Sequence, residues 1–343
     1  MSSPLATRAV GLLVALLTAV GCTRSSSPSP GSSKRLVLYL GRSKQLCAEL
    51  IERFEKQSGI TVEVRDGPSG VLALRLKEEG DKSPADVFWS QDVGSLSVVS
   101  TLGFFSELPG ELLARVPATY QSREKHWVAT SGRARVLAYS PARVSPSELP
   151  KSVFELTDDR WKGRVGWAPQ NASFQAFVTA MRQSAGEEKT RRWLEGMVEK
   201  NKERRYPKNT PILEALAAGE IDVGLPNHYY LLRFKSKDKD YPVEQTFFEA
   251  GDIGNLVNVA GAGILKTSKN REGAEAFLEF LLSADAQGYF ANTVFEYPVT
   301  AGAKTHPLLV AHEKLLEAAP DVDLAALEDH QATIELLKEV GAL

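Results

Sequence analysis

A short apolar segment followed by a polar loop and a helical pattern occurs four times along the chain, and this alternation most constrains the fold. The apolar segments are residues 35–40, 86–89, 164–167 and 220–225. Alternating strands and helices predict an α/β fold with mostly parallel sheets flanked by helices. Because ligands of such sheets bind beyond the carboxyl ends of the strands, the polar loops are the candidate binding segments.

Length and charge narrow the class of protein. The chain has 343 residues, of which 43% are hydrophobic and 24% charged, a composition typical of globular proteins. About 150 residues per domain is usual, so two lobes are expected. The 41 basic and 43 acidic residues are mixed along the chain without a basic stripe, which argues against a nucleic-acid partner.

The N-terminal segment reads as an export signal. An apolar run at 9–20 follows Arg8 and leads to the tetrapeptide A-V-G-C, which ends at Cys22. The run is shorter than the roughly 20 residues that span a bilayer, so residues 1–21 are predicted to be a lipoprotein signal peptide. Lipidation of Cys22 would anchor the protein to a membrane of the cell envelope or periplasm, the alternative being secretion without lipid. Residues 22–34, rich in Ser, Pro and Gly, are predicted to form a flexible tether.

Two adjacent tyrosines carry the most specific chemistry. Tyr229 and Tyr230 follow a predicted strand and the turn G-L-P, where a cleft ligand is expected. A phenol has a pKa of about 10, so it becomes a ligand only when a strongly Lewis-acidic cation displaces its proton. Ferric iron is hard and prefers anionic oxygen, and an anion held by helix N-termini would balance the remaining charge. The alternative is that both rings pack in the core.

The chain resembles the periplasmic ferric-iron-binding proteins of ABC importers, a bacterial transferrin-like group of solute-binding proteins. The resemblance covers nearly all of residues 35–310, and the run N-H-Y-Y at 227–230 is its most specific part. Several of the other motifs are shared with solute-binding proteins for different ligands. The matching motifs are residues 38–43, 84–89, 131–136, 161–165, 171–174 and 227–230.

The resemblance implies a type II periplasmic-binding-protein fold with the ligand in the cleft between two lobes. Lobe 1 would comprise residues 35–134 and 256–305, and lobe 2 residues 135–255 and 306–343. The two lobes would close about a hinge near 133–137 and 255–260. The protein is then expected to be a monomer that passes its cargo to the permease of an ABC importer.

The resemblance also implies site residues. Tyr229 and Tyr230 are the expected ligands of Fe(III). Ser173, Asn209 and Asn227 match positions that hold a synergistic anion such as phosphate or bicarbonate. For each of these three polar residues the alternative is a capping or turn role.

Two departures leave the ligand set open. Many members of the family have a histidine and a glutamate where this chain has Ser43 and Gln91, which become candidate cleft-lining residues. The remaining iron positions would be filled by anion oxygens and water, or by an iron chelate bound whole. Arg42 and Arg133 are candidate anion partners, with a salt bridge or an exposed position as the alternative. The alternative function is that of a related solute-binding protein for an organic or oxyanionic solute, such as a phosphonate or thiamine-like ligand.

An enzyme is not expected. The sequence has no G-x-S-x-G elbow and no histidine pair at metal-ligand spacing. Cys47 shares a helical face with Ile51 and Phe54 and is predicted to be a buried hydrophobe. Two further hypotheses are an envelope hydrolase with an unrecognised site and a ligand-independent sensor or scaffold lipoprotein.

Overall fold

The computed structural model describes residues 35–322 and 330–343. The predicted signal peptide, the tether and Cys22 lie outside the described residues. The strands are β1 (Arg35–Leu40), β2 (Thr61–Asp66), β3 (Val87–Ser90), β4 (Trp127–Ala134), β5 (Leu137–Tyr139), β6 (Val165–Gly166), β7 (Val223–Gly224), β8 (Glu244–Thr246) and β9 (Val257–Ile264).

Helices surround these strands, and no helix in 35–322 or 330–343 has the length and apolar character to cross a membrane. A π-helical turn at Phe290–Val294 follows the tenth helix. The α-helices are α1 (Lys44–Ser58), α2 (Ser69–Glu79), α3 (Val93–Thr101), α4 (Gly110–Leu113), α5 (Ala172–Ala185), α6 (Glu187–Asn201), α7 (Asn209–Ala217), α8 (His228–Lys235), α9 (Arg271–Leu281), α10 (Ala284–Tyr289), α11 (His312–Ala318) and α12 (His330–Glu339).

The strands form two sheets, each the base of one lobe. The first sheet has the order β2-β1-β3-β9-β4 and defines lobe 1, and the second has the order β6-β7-β5-β8 and defines lobe 2. Both sheets are mixed, whereas the sequence pattern predicted mostly parallel sheets. In the first sheet β1 pairs in parallel with β2 and β3, but β9 is antiparallel to β3 and β4. The reason is that β9 re-enters the first sheet from lobe 2, so its direction is opposite to that of β3.

Each lobe has its own apolar core. In lobe 1 the ring of Phe54 on α1 packs edge-on against Phe277 on α9, and Trp89 of β3 contacts the same ring. Cys47 is fully buried in this core, as its helical spacing predicted. In lobe 2 Trp193 on α6 stacks on Phe174 at the start of α5. These aromatic contacts hold α1 and α5 in their lobes.

The chain passes between the lobes at two adjacent points before α9, and it crosses again after Tyr297, because α12 packs on α5 of lobe 2. It leaves the first sheet after β4 through Arg135 and returns through Leu256 just before β9. The backbone N–H of Arg135 donates to the carbonyl of Leu256 at 2.9 Å, so the two crossings are hydrogen-bonded to each other. Both lie within the segments 133–137 and 255–260 expected to form a hinge, and the hinge motion and the exact lobe boundaries stay predictions.

Candidate functional site

A cavity of about 440 Å³ lies between the two lobes. The end of β1, the loop after β3 and the segment after the π-helical turn form its lobe 1 wall, and the N-terminal turns of α5 and α8 form its lobe 2 wall. The lining residues are Gly41, Ser43, Gln45, Leu46, Gln91, Asp92 and Glu296 from lobe 1, Asn171, Ala172, Ser173, Tyr229, Tyr230 and Arg233 from lobe 2, and Arg133 at the end of β4.

The loops of the lobe 1 wall are held together by Ser69. Its hydroxyl donates to the carbonyl of Gly41 at 3.0 Å and accepts from the N–H of Gln91 at 3.0 Å, which joins the loops after β1 and β3. A side chain at position 41 would collide with Ser69, so glycine is required for this close approach. Ser43 and Gln91 therefore lie on one wall, as expected of candidate cleft-lining residues.

Tyr229 and Tyr230 lie in the first turn of α8, and their rings stack with centroids 4.4 Å apart and planes inclined by 28°. Tyr229 is buried and Tyr230 is half-buried. Burial and the neighbouring Tyr230 raise the pKa of Tyr229 well above its usual value, while Arg133 opposes the shift. Both tyrosines contribute to the cavity wall, and Tyr229 is also part of a buried apolar cluster with Phe295 and Tyr297.

Arg233 is a site residue that the sequence reasoning missed. Its guanidinium carbon lies 4.8 Å from the centroid of the Tyr229 ring and 5.9 Å from that of Tyr230. Its buried Nη2 atom has no hydrogen-bond partner among the described residues, and the same holds for Nη1 of Arg133. Its spacing of four and three residues from the tyrosines, which brings side chains together on a helix, is the signal that could have identified Arg233.

The first turn of α5 contributes polar side chains to the same cavity wall as the phenols. Asn171 is the N-cap, and its Oδ1 accepts from the N–H of Ser173 at 3.0 Å and from its hydroxyl at 2.6 Å. Asn209 Nδ2 donates to Ser173 Oγ at 3.5 Å. Asn209 Oδ1 and Asn227 Nδ2 are buried without a partner in the described part of the chain, although neither residue lines the cavity.

Arg135 supports this turn from behind. Its Nη2 donates to the carbonyl of Ser173 at 2.7 Å and its Nη1 to the carbonyl of Leu225 at 2.6 Å. The guanidinium also lies 4.8 Å from the ring of Phe177. This buried cation therefore positions the end of β7 and the beginning of α5, the two segments that carry the lobe 2 wall.

Arg42 does not line the cavity, and its side-chain hydrogen bonds go to residues of lobe 1. Its Nη2 donates to Glu296 Oε2 at 2.6 Å and its Nη1 to Ser131 Oγ at 2.9 Å. Its Nε donates to Gln91 Oε1 at 3.2 Å. Arg42 therefore forms a salt bridge, one of the alternatives to an anion-binding role, and its guanidinium positions the lobe 1 wall. Arg133, in contrast, lines the cavity.

Glu296 is a second site residue that the sequence reasoning missed. Burial raises the pKa of Glu296, but the opposing charges of Arg42 and Arg133 outweigh it and lower the pKa below its usual value. Glu296 follows the π-helical turn and Phe295, a non-glycine residue with φ of +61°. Such turns and left-handed residues concentrate at functional sites, but no local pattern relates position 296 to the loops after β1 and β3.

His228 is directed away from the cavity. Its Nε2–H donates to the carbonyl of Phe295 at 2.7 Å, and its Nδ1 accepts from the N–H of Ala134 at 3.1 Å. Burial lowers the pKa of His228 to about 4, so the ring is neutral and both nitrogens are occupied. Within 35–322 and 330–343 no group of three or more His, Cys, Asp or Glu residues is placed to hold a metal ion. Metal chemistry at this cavity would therefore depend on the phenols.

Two lobes with a polar cavity between them are typical of a ligand-binding protein. Residues 82–329 match the family of bacterial extracellular solute-binding proteins, and the chain belongs to that family. It is 32% identical to the Fe(3+)-binding periplasmic protein of Serratia marcescens over 333 residues, 96% of this chain and 97% of that protein. It is 34% identical to iron uptake protein A2 of a Synechocystis strain over 340 residues, 95% of both chains.

Solved structures extend the similarity to the fold. Iron-bound HitA from Pseudomonas aeruginosa aligns with a TM-score of 0.83 at 32% identity, over 90% of this chain and 99% of that chain. A Trichodesmium protein (IdiA, FutA) in complex with iron and citrate aligns with a TM-score of 0.78 at 31% identity, with the same coverage. The predicted two-lobed type II fold is thereby confirmed. The expected solute-binding class, as opposed to an enzyme, is confirmed as well, because these relatives are binding and transport proteins.

Proposed function

We propose that this protein binds ferric iron through the phenolate oxygens of Tyr229 and Tyr230. The observation that carries the proposal is the stacked pair of phenols on the wall of a polar cavity between two lobes. Relatives at 32% identity over almost the whole chain are named for ferric-iron binding, which supports the same cargo here. Two adjacent phenols suit a trivalent hard cation, because few other metals displace phenol protons at neutral pH.

Charge balance explains the polar group beside the phenols. Two phenolates leave one positive charge of the ferric ion uncompensated, so an anion is needed as a further ligand. The first turn of α5 presents the positive end of the helix dipole to an anion, and Ser173 lies there. Arg133 lines the cavity, and its buried Nη1 is a donor without a partner in the described part of the chain, which suits hydrogen bonding to phosphate or bicarbonate. Asn209 and Asn227 do not line the cavity and would act from behind its wall, Asn209 through its hydrogen bond to Ser173 and Asn227 through its buried donor Nδ2.

The predicted leader and the family support a proposal for the location of the protein and the delivery of its cargo. We place the protein outside the cytoplasm, in the cell envelope or periplasm, anchored through lipidated Cys22 after removal of residues 1–21. The loaded monomer would close its lobes and present iron to the permease of an ABC importer. Closure is mechanically reasonable because, in the described part of the chain, the lobes are joined by the crossings at Arg135 and Leu256 and by the later segment after Tyr297.

The test uses the colour of iron–phenolate complexes. Metal-free protein is given ferric citrate or ferric chloride, each with phosphate or bicarbonate, and is then examined by visible absorbance and metal analysis. We expect a phenolate-to-iron charge-transfer band that Tyr229→Phe and Tyr230→Phe each weaken or abolish. Tyr139→Phe is the matched control, because Tyr139 lies in β5 and does not line the cavity.

A protein for an organic or oxyanionic solute without iron is the second candidate. Ser43 and Gln91 favour it, because they give the lobe 1 wall neutral hydrogen-bonding groups where a metal site would be served better by a carboxylate or an imidazole. This candidate predicts no colour with any ferric source, but a raised melting temperature with a phosphonate or carboxylate solute.

A further inference from the structure

The carboxylate of Glu296 has one oxygen that is not engaged within the protein. Its Oε2 accepts from Nη2 of Arg42 at 2.6 Å and from the hydroxyl of Ser131. Its Oε1 has no hydrogen-bond partner within residues 35–322 and 330–343, although the side chain is only 2% exposed. Buried polar atoms normally have a partner, and because Glu296 lines the cavity, a ligand in the cavity can be the partner of Oε1.

Contacts of the neighbouring residues hold Glu296 beside the tyrosine pair. His228, directly before Tyr229, donates through Nε2 to the carbonyl of Phe295, directly before Glu296, at 2.7 Å. The ring of His228 also lies 4.7 Å from that of Tyr297, directly after Glu296. Phe295, Tyr297 and Tyr229 belong to one buried apolar cluster. The backbone on both sides of Glu296 is therefore fixed against the first turn of α8, so one small ligand in the cavity can contact both the carboxylate and the phenols.

The other polar side chains of the lobe 1 wall are less suited to a hard cation. Ser43, Gln45 and Gln91 are neutral and offer no anionic oxygen. Asp92 is a carboxylate, but both of its oxygens accept hydrogen bonds from Ser95, Oδ1 from the N–H at 2.8 Å and Oδ2 from the hydroxyl at 3.2 Å. Glu296 is therefore the residue of this wall best suited to bind ferric iron.

The ion pair with Arg42 is compatible with metal binding. Carboxylates that bind metals are usually hydrogen-bonded as well, and these bonds orient the coordinating oxygen. Arg42 and Ser131 would orient Glu296 in this way, because they occupy Oε2 and leave Oε1 for the metal. Since Arg42 already balances the charge of Glu296, the proposed anion on lobe 2 keeps its role in neutralising the ferric ion.

We infer that Glu296 is a third protein ligand of the ferric ion and binds it through Oε1. Tyr229 and Tyr230 would bind the metal from lobe 2 and Glu296 from lobe 1, so that one ion is held by both lobes. Arg42 and Ser131 are positioning residues for this carboxylate. The inference rests on the proposed binding of ferric iron and adds a ligand to it.

The first measurement is the affinity for ferric iron, determined by competition with nitrilotriacetate. Glu296→Gln should weaken binding by about 100-fold or more, because even the hydrogen-bond partners of a metal ligand are worth about 10- to 100-fold in affinity. Ser131→Ala removes such a partner and should weaken binding by about 10-fold. The matched control is Asp222→Asn. Asp222 is an equally buried carboxylate that forms ion pairs with Arg143 and Arg164 but does not line the cavity, so this variant should bind iron like the unmodified protein.

A double variant separates a ligand from a residue that only stabilises the fold. Arg42→Met combined with Glu296→Gln leaves no unpaired buried charge and should be more stable than Arg42→Met alone. If Glu296 is a ligand, the double variant still binds iron about 100-fold more weakly than the unmodified protein. Iron affinity that returns to the unmodified value in the double variant would overturn the inference.

Infrared spectroscopy tests coordination directly. Protein labelled with ¹³C-glutamate is measured with and without iron, and the difference spectrum shows the carboxylates that change on loading. We expect a shifted carboxylate stretch that is present in the unmodified protein and in Asp222→Asn, and absent from Glu296→Gln saturated with iron.

The outcomes separate the inference from the proposed function. If Glu296→Gln binds coloured iron with undiminished affinity and the same infrared difference spectrum, the inference is overturned and iron binding by the phenols remains. If the unmodified protein takes up no iron and develops no colour, both proposals are overturned.

Discussion

The guanidinium of Arg42 donates to the carboxylate of Glu296 at 2.6 Å, and both side chains are almost completely buried beside the cavity. The pair connects the loop after β1 to the segment after the π-helical turn, about 250 residues later in the chain. The hydroxyl of Ser131 bridges the pair by accepting from Arg42 and donating to Glu296. The lobe 1 wall is thus positioned by a buried ion pair whose members bear no pattern relationship in the sequence.

Removing one member of this pair should destabilise the protein strongly. Arg42→Met leaves Glu296 as a buried charge, and we expect a loss of about 3–5 kcal/mol in the free energy of unfolding, measured by denaturant titration. Arg42→Met combined with Glu296→Gln should recover much of the loss, because no buried charge is left unpaired. Lys56→Ala, at the exposed ion pair with Glu52, should leave the midpoint unchanged. A single variant as stable as the unmodified protein would show that the pair has no structural role.

Iron binding should release protons from the phenols. Because the pKa of Tyr229 is raised by burial and by Tyr230, the empty site holds the proton, and the metal must displace it. If both phenols coordinate, iron affinity should fall by up to about 100-fold for each unit decrease in pH near neutrality. In Tyr230→Phe the slope should fall to about 10-fold per unit. The released protons are counted in a pH-stat, and the count from the iron source without protein is subtracted. Equal proton counts for the unmodified protein and Tyr230→Phe would contradict coordination by both phenols.

His228 should make stability depend on pH. The pKa of His228 is lowered to about 4 by burial, below the value near 6.5 of an unfolded chain. Between these values the unfolded state binds the proton and the folded state does not, so stability falls as pH decreases from about 6.5 to about 4. The loss attributable to this residue should reach about 3 kcal/mol.

The matching measurement compares denaturation curves of the unmodified protein and His228→Gln across this pH range. The variant should be less stable at neutral pH, because a well-fitted ring with two backbone hydrogen bonds is lost, but its stability should depend less on pH. His306→Gln, at a partly exposed histidine, is the control and should keep the full slope. An unchanged slope in His228→Gln would contradict the assignment of a neutral buried imidazole.

Membrane attachment should depend on one cysteine. If residues 1–21 are a lipoprotein signal, Cys22→Ser should abolish incorporation of labelled fatty acid and release the protein from the membrane fraction. Cys47→Ser is the control, because Cys47 is buried in the lobe 1 core and cannot be a lipidation site. Fatty-acid labelling that persists in Cys22→Ser would refute the predicted anchor.

Local sequence patterns were sufficient for much of the fold. The recurrence of strand, polar loop and helix predicted β1, β3, β6 and β7 and the segments that surround the cavity, because each unit is specified by residues close together in sequence. The antiparallel entry of β9 could not be predicted in the same way. Its direction depends on where the chain re-enters the first sheet after lobe 2, which is a property of topology.

The same distinction applies to the site. The segments that directly follow strands could be predicted from the sequence. Their residues Ser43, Gln91, Ser173, Tyr229 and Tyr230 all line the cavity. Their roles toward a ligand stay predictions. Glu296 could not be predicted, because a π-helical turn and a left-handed Phe295 bring it to the cavity from a remote part of the chain.

The most direct test of the account is resonance Raman spectroscopy of the ferric-loaded protein, excited in its visible absorption band. Coordination by Tyr229 and Tyr230 predicts tyrosinate ring vibrations that weaken in either single phenylalanine variant, vanish in the double variant and are unaffected in Tyr139→Phe. Iron held by the protein at equal stoichiometry without tyrosinate vibrations would contradict the central claim.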